Sequence, residues 1–120
     1  MTAPNLKNPT TITGKTARVG ITTTAVVGIV TNSAASNKVL KINSIFAANV
    51  SGTTAADISV SIYNGSSDTY LAYTISVPPD ATQIISTKET YFYLEESDSI
   101  RATAGTANAI SVVVGYEEIS

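Results

Sequence analysis

The chain predicts an all-β protein, an antiparallel β-sandwich of about eight to nine short strands wound as an immunoglobulin-like or a jelly-roll domain. Three observations carry that expectation. Apolar residues recur with a period of two from Ala17 onward, and no stretch shows a helical period. Clusters of Asn, Gly, Ser and Pro interrupt this alternation at intervals of roughly 8–12 residues, the spacing expected of a sandwich or barrel. Ser and Thr number 32 of 120 residues while charged residues make up only 13%, which suits strands whose exposed faces carry hydroxyls.

Taken in order, residues 1–13 hold Pro4 and Pro9 and no sustained period, so they read as an extended arm ahead of one domain over residues 14–120. "ARVGI" places Ala17, Val19 and Ile21 on one face, and "AVVGIVT" is a buried apolar run in which Gly28 marks a bulge. "NSAASN" at 32–37 turns the chain. "VLKINSIFAAN" alternates Leu40, Ile42, Ser44, Phe46 and Ala48 against Lys41, Asn43 and Ile45. After "SGTTA", "DISVSIYNG" turns Ile58, Val60 and Ile62 inward and ends at Asn64-Gly65, residues that accept positive φ. "YLAYTISV" sets Leu71, Tyr73, Ile75 and Val77 on one face until Pro78 and Pro79 stop it. "TQIIS", "TYFYLE", "DSIRATA" and "AISVVVGYEEI" complete the series, the last with Ile110, Val112, Val114 and Tyr116 together.

Composition narrows the chemistry. With no Cys, His or Trp, disulfides, zinc-thiolate sites, a cysteine nucleophile and the commonest general base are all missing. The seven basic residues are scattered against nine acidic ones, so no basic face for nucleic acid is expected. No apolar run reaches membrane-spanning length, and "MTAPNLKNPTTITGK" carries no secretory core, so neither membrane nor secretion is expected.

Each remaining motif has a plain reading. Glu95, Glu96 and Asp98 lie within four residues, but "LEESDSI" reads as strand, turn, strand, with Asp and Ser bonding nearby amides. "GKT" at 14–16 lacks the upstream glycine and following helix of a phosphate loop. Ser86 and Lys88 are two apart in a Ser-rich chain, a chance pairing rather than a dyad. Asn49-Val50-Ser51 and Asn64-Gly65-Ser66 match the glycosylation triplet without a secretory signal beside them. Tyr91 and Tyr93 share one face with Phe92 on the other, which fits either core packing or a subunit contact. No catalytic, metal or cofactor site is expected; the candidate contact residues are Pro4, Leu6, Pro9, Tyr91 and Tyr93.

Three stretches carry a resemblance: "TNSAASNKVLKINSIFAANVSGTTAADISVSIYNG", "YLAYTISVPPDATQII" and "LEESDSIRATAGTANAISVVVGYEEIS". Their strand-and-turn phrasing over residues 20–120 resembles small β-sandwich virion structural proteins of tailed bacteriophages, especially cyanophages. The chain departs at Ser97, where that pattern has glycine. The resemblance implies a non-enzymatic virion component assembled in the host cytoplasm, foremost a capsid decoration (cement) protein that binds the major capsid protein. A tail, neck or fibre-associated subunit bound to tail proteins is the alternative. It also implies a homo-oligomer, in the first instance a trimer. The rival from another class is a β-sandwich module recognising host-surface glycan, for which the loops offer mostly small residues.

Overall fold

The computed structural model describes Pro4 and residues 6–120. Nine strands form two antiparallel sheets packed face to face: β1 (Ile12–Ile21), β2 (Val27–Thr31), β3 (Val39–Asn49), β4 (Ala56–Tyr63), β5 (Asp68–Val77), β6 (Thr82–Ser86), β7 (Phe92–Leu94), β8 (Ser99–Ala104) and β9 (Ile110–Ile119). A 3-10 turn at Lys88–Thr90 precedes β7. Sheet A runs β1-β9-β3-β6, with β7 also pairing β3, and sheet B runs β2-β8-β4-β5. Early strands thus pair with late ones, β1 with β9, β2 with β8, β3 with β6 and β4 with β5. That is a long hairpin wrapped on itself, the winding of a jelly roll rather than of an immunoglobulin domain.

The inner faces supply the core. Ile21, Ile42, Ile45, Val112 and Val114 of sheet A meet Ile58, Val60, Val77 and Ile100 of sheet B, all essentially without exposed surface. Ala102 and Ala104 on β8 are small enough to let the sheets close over them. Two buried asparagines clip the sheets together at opposite ends of β3. Asn32, after β2, donates from Nδ2 to the carbonyls of Lys38 (2.9 Å) and Leu94 (3.0 Å). Asn49, closing β3, donates to the carbonyls of Thr54 and Val77, each at 2.9 Å, and accepts from the Ser51 amide.

Four local expectations change, two of them because an irregular register alters a strand's phase. The β3–β9 register shifts between Ile42 and Ser44, so Leu40 and Ile42 point inward, then Ile45 and Ala47, and Phe46 turns out to solvent. An extra residue in one strand reverses every later side chain. On β5 two shifts do the same: Ala72, Ile75 and Val77 face in, while Leu71 and Tyr73 face out. Thr74 takes a positive φ of 48° at the first bulge. The run at β2 bulges at Gly28–Val30 as expected, but only Val30 is fully buried because β2 is an edge strand. Finally, the sheet begins at Ile12, inside the segment read as an arm, because Ile12 and Thr13 pair with Ile119 and Glu118.

Candidate functional site

The β3–β7 pairing sets the geometry. Leu40 lies opposite Leu94, Lys41 opposite Tyr93 and Ile42 opposite Phe92. Strand parity therefore turns Phe92 toward the core and Tyr93 onto the outer face of sheet A beside Lys41. Tyr91, at the end of the 3-10 turn, meets Tyr93 edge to face, with ring centroids 5.8 Å apart at 84°. The Lys41 ammonium sits 4.3 Å from the centre of the Tyr91 ring, a cation–π contact that holds this ring on the surface.

Beside this pair Pro4 and Leu6 form one wall of an open groove of about 460 Å³, lined also by Val39, Phe92, Tyr93 and Glu95. Of the five contact candidates, Pro4, Leu6 and Tyr93 line this groove, Tyr91 packs against Tyr93, and Pro9 is not part of the lining. Leu6, Tyr91 and Tyr93 all keep a large exposed area (46%, 48% and 37%), so neither tyrosine is a core residue. The walls are apolar, with Glu95 as the carboxylate on the lining. None of the six lining residues is a Ser, Thr, Lys or Arg.

The acidic stretch is a turn. Asp98 donates its amide to the Glu95 carbonyl (3.1 Å) and accepts the Glu95 amide on Oδ2 (3.2 Å), while Ser97 bonds the Asn32 carbonyl. Glu96 is engaged by the Asn37 amide. Among the described residues no three His, Cys, Asp or Glu gather to hold a metal, and no helix is long and apolar enough to cross a membrane. Gly14-Lys15-Thr16 lies within β1. Ser86 Oγ contacts Thr90, and Asn49 is buried.

The strongest charged network was not legible as a unit in the sequence. Arg101 on β8 binds Asp68 through two nitrogens (2.6 and 3.1 Å) and lies 3.8 Å over the Tyr63 ring. The Arg101 hydrogen bonds, then that of Ser61, hold the Asp68 carboxyl below its ordinary range. At the far end of sheet A, Glu118 takes Lys38 (2.8 Å) and Lys15 (3.0 Å), whose hydrogen bonds likewise lower its pKa. The Arg101–Asp68 pair forms across β4, through the β4–β5 and β4–β8 registers, and the grip on Glu118 through β1–β9 and β3–β9. Comparison with known protein families and with curated proteins gives no match.

Proposed function

We propose that the protein is a non-enzymatic structural subunit of a tailed-phage virion, a capsid decoration protein that docks on the head through the outer face of sheet A. The observation that carries this reading is the groove. It gathers exposed apolar residues from two distant parts of the chain, Leu6 and Tyr93, with Tyr91 held alongside. Large aromatic bodies with polar tips, left on a rigid sheet, suit a protein–protein contact. The phrasing of residues 20–120 supports the virion context. Jelly rolls serve in capsids and in lectins alike, so the fold supplies only an analogy.

The test is co-sedimentation of the purified chain with cyanophage heads stripped of their decoration. Saturable binding that is lost in the Tyr91→Ser, Tyr93→Ser double variant is expected. Binding unaffected by both substitutions removes the groove from the account. Binding to tails, or to a glycan array, in place of heads overturns the decoration role.

A further inference from the structure

The four sheet edges are treated unequally. Edge strands present unpaired amides and carbonyls to any passing strand, and proteins blunt them with bulges, short length or proline. In sheet B, β5 carries two bulges and β2 is five residues long with one. In sheet A, β6 and β7 are five and three residues long. β1 alone has none of these devices: ten residues, no proline and an unbroken register with β9.

Its hydrogen-bonding direction follows from one pair. Thr11 and Ser120 exchange both backbone bonds (3.1 and 3.0 Å), and such pairs alternate along an antiparallel ladder. Thr13, Lys15, Ala17, Val19 and Ile21 therefore bond toward β9. Ile12, Gly14, Thr16, Arg18 and Gly20 direct their N–H and C=O groups out at the free edge, with side chains on the outer face of sheet A.

We propose that β1 pairs antiparallel with β1 of a second copy about a two-fold axis through Thr16, joining the two A sheets into one. This register places Thr16 against Thr16, Gly14 against the partner copy's arginine at position 18, and Gly20 against its isoleucine at position 12. Both glycines thereby face a large side chain. Neither has an intramolecular reason to be glycine: a Cβ on Gly14 would meet nothing within 4 Å, and one on Gly20 only Ser111 Oγ at 4.0 Å. Lysine falls opposite alanine, so like charges are kept apart.

Charge selects this register. Gly14 lies opposite Glu117 on β9. An arginine entering from the second copy thus lies in one cross-strand row with Gly14 and Glu117, about 10 Å from the latter by strand spacing, within the combined reach of the two side chains. Among the described residues neither Arg18 nor Glu117 has an ion pair of its own. The two-fold axis makes the pair twice, as an isologous contact requires. Sliding the register by two residues in one direction puts Arg18 against threonine and glycine against glycine, and in the other puts Arg18 against isoleucine, Gly14 against threonine and lysine against lysine; both slides lose the arginine–glycine match.

This inference goes beyond the decoration role and is independent of it, because it is read on the isolated protein. Light scattering after size exclusion is expected to give twice the 12.4 kDa chain mass. Thr16→Pro removes an outward N–H on an edge strand, where proline is tolerated, so it is expected to leave the circular dichroism unchanged and halve the mass. Arg18→Glu is expected to do the same, and Arg18→Glu with Glu117→Arg to restore the dimer. In this cysteine-free chain, Thr16→Cys is expected to form a disulfide-linked dimer on mild oxidation. A monomeric wild type, a three-fold assembly, or a dimer indifferent to both single substitutions overturns the proposal.

Discussion

Replacing Asn49 by alanine tests the inter-sheet clips. Asn49 is 3% exposed and spends both amide protons on the carbonyls of Thr54 and Val77 at 2.9 Å. The Val77 residue is itself fully buried, so water cannot readily replace the lost donor. These two hydrogen bonds at about 1 kcal/mol net each, plus about 1 kcal/mol for stranding a buried carbonyl, give a loss of at least about 3 kcal/mol, with the Ser51 amide's bond to Oδ1 lost as well. For a domain of this size that corresponds to a fall in Tm of about 12 °C. The assay is urea unfolding, in which the midpoint should drop with the slope unchanged, because the surface exposed on unfolding stays the same. Asn64→Ala is the control. Its side chain accepts two backbone bonds at 2.9 Å from Ser66 and Ser67, but in an exposed turn. Its loss should stay below about 1 kcal/mol, because solvent replaces what is removed. Equal losses at the two positions would refute the argument that burial raises the cost of losing these bonds.

Ser97 sits at φ 74° in the acidic turn, a backbone region that glycine enters without steric cost, so Ser97→Gly should raise stability by up to about 1 kcal/mol in the same assay. A Cβ added at Gly115 would lie 2.9 Å from Ser44 Oγ; Gly115→Ala should cost about 1–2 kcal/mol, and the further change Ser44→Ala should recover part of it. Asp68 has a folded pKa below its ordinary 3.8, so its pairing with Arg101 is fully present above that value and is lost as pH falls through the depressed one. Acid titration of wild type should therefore show a loss of stability below about pH 4 that is smaller in Asp68→Asn.

The sequence showed the strands clearly and their phase imperfectly. Period-two alternation shows most of the nine because each needs an apolar face for the core, the run at β2 shows as a continuous apolar stretch, and turn chemistry shows the breaks at 32–37, 64–68 and 78–81. Pairing across the sheets is another matter. The clips made by Asn32 and Asn49, the Arg101–Asp68 fork and the two-lysine grip on Glu118 join residues brought close only by the jelly-roll winding. An asparagine in a turn cluster reads as a turn former; nothing local says that its amide reaches 62 residues away to Leu94.

Where a register shift reverses the phase, the surface gains something. A bulge costs the ladder a pair and shifts the side chains beyond it by one face. The three large side chains so displaced, Phe46, Leu71 and Tyr73, all emerge on the outside, at 37%, 39% and 65% exposure. On β5 this sets Tyr73 edge to face with Tyr70 at 4.7 Å, on a strand whose two bulges spoil it for pairing. On β3 it sets Phe46 opposite Ile84 and Val113 on the face that also bears Tyr93. Apolar groups are therefore offered on faces, while backbone pairing is left open at β1. The two modes of contact are separable by mutation: Thr16→Pro should leave head binding through Tyr91 and Tyr93 measurable in a monomer, and the double tyrosine variant should leave the dimer whole. If either change abolishes both, the outer face and the free edge form one contact, and the groove and β1 must be assigned to the same interface.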